Sequence, residues 1–427
     1  MKRFALLFYG LLGLPLAMVA LPVYVQIPNY YTTQLSLPLA STGLVLFFAR
    51  LVDTIQDPYL GKVIDRIKSD NVLWYLVAGI LLIAAFYGLW LPPDFMRAQE
   101  TRLLFWLGLM LAIAYTAHSM LNIAYLTWGA GLDKSPLYNA GTEINNANHG
   151  LLGAAAWREA FGLFGVVLAS ILPTWILQMT KLEQQDYLWH YCMGFAGLLG
   201  LAIWALLGAA PHPRRHLQQN TISFGALIQD KKFRSLALIY FFNSLSVSIP
   251  ATLLLFFIND QIRAAEQTGL FLAAYFIAGT CGLPLWIKFA KKIGTAAAWQ
   301  VSMLLAVCSF VGAAFLGSGD SLAFLWVCIV SGFVLGADLA LPPVLLAENV
   351  SDKSRLGSYY GIWSLIAKLC LAFAGLSLPL LHLLGFQSNA HPSSVTSTSQ
   401  LGLTVCYALL PCLCKLIAFQ LLRKSRS

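Results

Sequence analysis

Apolar runs of about 20 residues recur along nearly the whole chain, each long enough to cross roughly 30 Å of hydrocarbon as a helix. They fall near 5–27, 37–60, 72–92, 104–127, 155–177, 188–209, 235–258, 268–290, 296–317, 322–345, 359–384 and 401–421. Of the 427 residues 59% are hydrophobic and 11% charged, against about 25% charged in a soluble domain. The reading is an all-α, multi-pass membrane protein of twelve transmembrane helices. Met1-Lys2-Arg3 runs directly into the first span without a small-residue cleavage site, so that span is expected to be a retained helix.

The net charge of +9 is a topology signal. Basic clusters at Lys2-Arg3, Lys62/Arg66/Lys68, Arg214-Arg215, Lys231-Lys232, Lys291-Lys292 and Arg423/Arg426 fall on one set of alternate loops and tails. Arg97, Arg102, Lys181 and Arg263 fall on the other. The positive-inside rule then predicts cytoplasmic termini and an even helix count, as for a bacterial inner-membrane protein. No basic–aromatic patch or zinc spacing points to nucleic acid. All eight cysteines lie in predicted spans, where cysteine is a small apolar filler. No disulfide, metal site or cofactor is expected.

The longest basic inward loop, 211–233, separates six spans from six. Pro58-x-x-x-Lys62-x-x-Asp65-Arg66 after the second span is echoed by Pro284-x-x-x-Lys288-x-x-Lys291-Lys292 after the eighth. This predicts an N-terminal six-helix bundle over 1–210, a cytoplasmic linker over 211–233 and a C-terminal six-helix bundle over 234–427. Parallel repeats of this kind are the plan of many secondary transporters. Segment 129–150, with Asn145, Asn146 and Asn148, and the polar loop 386–400 receive no chemical role.

The second span carries Arg50, Asp53, Gln56 and Asp57 and runs into Gly61, Lys62, Asp65 and Arg66. Asp53 and Asp57 are four residues apart, so a helix sets both carboxylates on one face with Arg50 in reach. Charge in hydrocarbon is costly and by default marks an ion or substrate path. Two carboxylates one turn apart suit a Na⁺ or H⁺ site; the competing reading is a buried salt bridge between helices. Lys368, in the eleventh span, calls for a carboxylate partner such as Asp53 or Asp57, or for a substrate group.

These residues resemble the major facilitator superfamily, and within it the glycoside–pentoside–hexuronide:cation symporters, the melibiose-permease-like group. Gly61-x-x-x-Asp65-Arg66 resembles the superfamily's gating signature between the second and third helices. Arg50-x-x-Asp53-x-x-x-Asp57-Pro58 resembles the group's cation-site helix. Ala156-Trp157-Arg158-Glu159, Gly336-Ala337-Asp338, Pro342-Pro343, Gly357-Ser358-Tyr359-Tyr360-Gly361-x-Trp363 and Lys368 extend the likeness over nearly the whole chain.

The resemblance implies a major facilitator fold and roles residue by residue. Asp53 and Asp57 would be the cation carboxylates, with Gln56 where the group usually has Asn. Ser119 and Asn122 fall where it has a hydroxyl and an acid, so Asn122 removes one negative charge. Ala17 and Leu126 replace the group's sugar-binding Asp and Trp, which argues against an ordinary galactoside.

Arg158 is weighed between a snorkelling helix-end charge and a gating or substrate role. Tyr24 and Gln26, at the deeper end of an interfacial tyrosine cluster, and Asn243, in a polar seventh span, are further substrate candidates. His118, beside Ser119, reads as a core histidine. With one acid replaced by Asn122, the coupling ion is expected to be H⁺ in preference to Na⁺. The favoured function is cation-coupled symport of a small, sugar-like solute by a monomer that meets only its solute, its ion and membrane lipid. Alternatives are a lipid or lysolipid carrier on the same fold and, further off, a membrane prenyltransferase binding Mg²⁺-diphosphate through Asp53 and Asp57. The latter needs a second acidic cluster, and the other spans supply only isolated acids such as Asp338.

Overall fold

The computed structural model describes residues 2–21, 23, 26–67, 70–134, 147–177, 179–211, 229–350, 352–377, 381 and 397–425, and among them it contains helices and turns but no strand. The first span is broken into α1 (Lys2–Gly10) and α2 (Gly13–Leu21). It continues through the short helix Ile27–Asn29 into the π-helical Tyr30–Gln34. Pro15 explains the break. It has no N–H to give the carbonyl of Leu11, and its ring crowds that carbonyl. Then follow α3 (Leu39–Ile67), α4 (Val72–Trp90), α5 (Glu100–Ala130), α6 (Ala147–Ile176) and α7 (Lys181–Ala209). The second half holds α8 (Lys231–Phe256), α9 (Thr268–Ile293), α10 (Thr295–Ala313), α11 (Ser321–Asn349), α12 (Leu356–Gly375), α13 (Ser397–Thr404) and α14 (Leu410–Lys424).

Among the described residues ten helical segments are long and apolar enough to cross a membrane. The two remaining expected spans depart from that rule for different reasons. Ala5–Ala20 is apolar but short, because the first span is broken. α3 is long enough at 29 residues but is interrupted by Arg50, Asp53 and Asp57. Each of the twelve expected spans thus has a helical counterpart among the described residues, and the one least suited to lipid by composition carries the candidate site.

The chain divides into two compact units, Met1–Gln219 with Asp352–Ser364, and Asn220–Ser351 with Leu365–Ser427. The first half of α12 thus belongs to the unit built by α1–α7. In that unit α2 lies directly on α6: a Cβ at Gly13 would sit 2.4 Å from the carbonyl oxygen of Arg158, and one at Gly165 2.3 Å from that of Leu14. Without a hydrophobic drive between helices in lipid, such close backbone packing is what holds spans together. Gly13→Val is expected to lower thermal stability in detergent by about 1–3 kcal/mol, as overpacking does. Gly43→Val, whose added carbon meets nothing within 4 Å, should leave the melting temperature unchanged.

The other unit is centred on aromatic packing. Phe257, Phe271, Phe324 and Tyr407 are buried together, with the rings of Phe257 and Tyr407 stacked at 4.0 Å. A buried ion pair crosses it: Lys415 Nζ of α14 lies 2.5 Å from Asp338 Oδ2 of α11, at 5% and 6% side-chain exposure. Trp299 of α10 donates its Nε1–H to the other oxygen of Asp338 at 3.0 Å. Three helices meet at one carboxylate.

Candidate functional site

α3 is two-faced along its length. Phe47, Phe48, Val52, Ile55 and Tyr59 are exposed, whereas Ala49, Asp53, Asp57, Gly61 and Ile64 are buried. The buried set repeats every three to four residues, as one helix face does. Asp53 and Asp57 are 3% and 0% exposed, so each carboxylate must find its partners inside the protein.

Asp53 finds them on its own helix and on α5. Its Oδ1 accepts from Gln56 Nε2 and from Ser119 Oγ, both at 3.2 Å. Gln56 is held in turn by Thr116 of α5, whose Oγ1 donates to Gln56 Oε1 at 2.8 Å. Asp57 turns to α12, where Ser364 Oγ donates to Asp57 Oδ2 at 2.5 Å. Two carboxylates, an amide and three hydroxyls from three helices thus meet along one buried stripe. Hard oxygen donors of this kind suit a small cation or a carried proton.

One turn further on, α3 and α12 touch backbone to backbone. A Cβ at Gly61 would lie 2.3 Å from the carbonyl oxygen of Gly357, and one at Gly361 2.5 Å from that of Asp57. Asp65 accepts from the backbone N–H groups of Gly357 and Ser358, each at 2.8 Å, and from the Ser358 hydroxyl. These are the orphan donors of a helix N-terminus, where a carboxylate is favoured. Arg66 is exposed, so among these residues Asp65 makes the latch and Gly61 allows the approach.

Asp65 lies past the spanning run 37–60, and burial pushes its carboxyl up to about 6; Gly357 and Ser358 pull the other way, and the charge of Asp352 adds to the push. A carboxyl raised above its ordinary value stabilises the contact fully below that ordinary value, near 3.8. The contribution is lost as pH rises through about 6. The α3–α12 latch is therefore expected to loosen as pH rises from near 3.8 to about 6. Hydrogen exchange at the Gly357 and Ser358 amides, compared at each pH with Asp65→Asn to remove the intrinsic pH dependence, reads this, and wild-type exchange that slows relative to Asp65→Asn as pH rises would contradict it.

The other expected site residues lie on several helices. Asn122 is half-buried one turn below Ser119, and no hydrogen bond among the described residues joins it to Asp53. Arg50 is exposed and acts on the Tyr115 hydroxyl. Tyr24 lies outside the described residues. Gln26 donates its Nε2–H to the Ala169 carbonyl at 2.9 Å. Lys368 is half-buried and Asn243 fully buried, both in the second unit.

Arg158 departs from the snorkelling reading. It lies well inside α6, 11% exposed, with Nη2 2.6 Å from Glu159 Oε1, and it reaches the Tyr9 hydroxyl. The pair Arg158–Glu159 sits against Tyr9 and Tyr125, whose hydroxyls are cross-bonded to each other's backbone. Sequence reasoning missed Thr116, Ser364 and Lys415, and it named Glu159 only within a motif, without a role. Only Glu159 and Lys415 carried a signal, as ionisable residues inside apolar runs.

Residues 7–424 match the family described as MFS/sugar transport protein. The inner membrane symporter YicJ of Escherichia coli is 20% identical over 411 residues, covering 91% of this chain and 84% of that protein. The uncharacterized symporter sll1374 of Synechocystis is 28% identical over 149 residues, which span 34% of this chain and only 25% of that protein. Among solved structures, a bacterial homologue of the iron transporter ferroportin in an outward-facing state superposes with a TM-score of 0.76 at 17% identity, covering all of both chains. The Escherichia coli fucose:proton symporter FucP gives 0.68 at 16% identity, covering all of this chain and 99% of that one. At these identities the structures speak for the fold.

Proposed function

The chain belongs to the MFS/sugar transport protein family, and from that premise we propose that it is a symporter carrying a small, hydroxylated, sugar-like solute together with a coupling cation. Membership makes it a multi-pass membrane transporter of the major facilitator fold, and a transporter is no enzyme. The proposal concerns which groups hold the ion and the solute. What supports it most is the buried stripe of α3, where Asp53 and Asp57 take hydroxyl and amide partners from α3, α5 and α12.

Asp53, Asp57, Gln56 and Ser119 form the cation site in this reading, with Asn122 at its edge. The ion is H⁺. Asn122 stands where a third acid would strengthen Na⁺ binding, and each carboxylate already accepts from a hydroxyl that a protonated acid could instead meet as a donor. Arg158 and Lys368 supply charge for the solute, with Arg50, Tyr24, Gln26 and Asn243 as neutral or peripheral contributors. Gly61, Asp65 and Arg66 form the gate. The bundles over 1–210 and 234–427, joined by 211–233, act by alternating access in a monomer. The membrane is the bacterial inner membrane with both termini cytoplasmic, in keeping with the inner membrane symporter YicJ and the basic loops.

Coupling is reciprocal: a cation that raises solute affinity is itself bound tighter when solute is present. A thermal-shift screen of the purified protein against sugars, peptides and lysolipids, at pH 5.5 and 7.5, with and without Na⁺, tests the solute class. A sugar that stabilises more strongly at the lower pH supports the reading. Stabilisation by lysolipid alone would overturn it.

A further inference from the structure

The Gln56 amide lies between an acceptor on its own helix and a donor on the next. Its Nε2–H donates to Asp53 Oδ1 at 3.2 Å, and its Oε1 accepts from Thr116 Oγ1 at 2.8 Å. The partners fix this orientation. An ionised carboxylate is acceptor-only, so it takes the NH₂ end and repels the oxygen. The oxygen then faces α5, where the half-buried Thr116 meets it with a hydroxyl. Ser119, three residues on and on the same face of α5, donates to Asp53 Oδ1 at 3.2 Å. α5 thus presents two hydroxyls to α3, one to the carboxylate and one to the amide.

Thr116 has one hydroxyl proton and two acceptors for it. Gln56 Oε1 and the Ala112 carbonyl one turn back each lie at 2.8 Å. The bond to Ala112 is the one a helical threonine makes unaided. The bond to Gln56 ties the amide oxygen to α5 and holds it away from Asp53. Hard metal cations are bound by oxygens, carbonyl oxygens among them, and an N–H end repels them. With its oxygen held by Thr116, Gln56 turns only donors toward Asp53. That arrangement suits a carboxylate that takes up a proton, and it withholds one ligand from Na⁺.

We propose that Thr116 is a positioning residue that sets the ion preference of this site: by holding the Gln56 oxygen on α5, it keeps the affinity for Na⁺ low. Thr116 touches no ion itself and acts only through Gln56. The inference rests on the cation-site reading of the α3 stripe and deepens it by naming what selects the ion.

The test is the melting temperature of the full-length protein at pH 7.5 as NaCl replaces N-methyl-D-glucamine chloride at constant ionic strength. Thr116→Val and Thr116→Ala lack the donor, so the amide can turn its oxygen toward Asp53. Each should lower the half-saturating Na⁺ concentration about five- to tenfold, the worth of one hydrogen bond. Thr116→Ser keeps the hydroxyl and should respond as the wild type does. In a Gln56→Leu background Thr116→Val should have no further effect, because the group it acts through is gone. A Na⁺ response identical in wild type, Thr116→Val and Thr116→Ala would overturn the inference. So would a Thr116→Val effect that persists undiminished beside Gln56→Leu, which marks a role in packing alone. The choice of H⁺ as coupling ion fails separately, on the wild-type curve: tight Na⁺ binding there contradicts it, whatever the difference between variants.

Discussion

Asp57→Asn is expected to cut gradient-driven uptake by roughly 10- to 100-fold, the worth of a charge-assisted hydrogen bond at about 1.5–3 kcal/mol. The side chain is 0% exposed and accepts from Ser364 Oγ at 2.5 Å. Asn keeps the shape and one acceptor oxygen but can carry neither a negative charge nor an exchangeable proton. Expression and melting temperature should stay near wild type, because Asn keeps the shape of the side chain and an acceptor for Ser364. Counterflow exchange of labelled solute, which needs no gradient, should survive better than accumulation does. Ser364→Ala should show the same pattern more weakly, since the carboxylate loses one donor and retains its charge. A variant that fails to fold would instead mark Asp57 as half of a structural contact between α3 and α12.

The second large effect concerns stability. Lys415→Met should destabilise the protein by about 3–5 kcal/mol, because it strands the buried Asp338 carboxylate with only an indole donor. Lys415 and Asp338 are 5% and 6% exposed and 2.5 Å apart, so neither charge has water to fall back on. Asp338→Asn with Lys415→Met removes both charges and should recover most of the loss, since replacing a buried pair is often neutral. Melting curves of the two singles and the double complete the cycle. If the double is as unstable as Lys415→Met alone, the charges are not coupled and the geometry misleads.

The fold was legible because hydrophobic runs of membrane-crossing length leave few alternatives. The break in the first span was hidden inside such a run, since it depends on one missing N–H at Pro15. The helical spacing of Asp53 and Asp57 predicted a shared buried face, and α3 presents one. Their partners were harder to foresee. Thr116 lies 60 residues from Gln56 and Ser364 lies 307 from Asp57, and a hydroxyl in an apolar run gives no signal of where it will dock. Arg158 illustrates the limit from the other side. Its charge was conspicuous, but the sequence does not show that its neighbour Glu159 holds it, since adjacent helical residues do not ordinarily face one another.

Uptake of the stabilising solute into proteoliposomes, driven by a pH gradient in the absence of Na⁺, tests the central claim most directly. Accumulation should collapse with the gradient and be lost in Asp53→Asn and Asp57→Asn. Transport that ignores the gradient, or that persists undiminished in both variants, would contradict it.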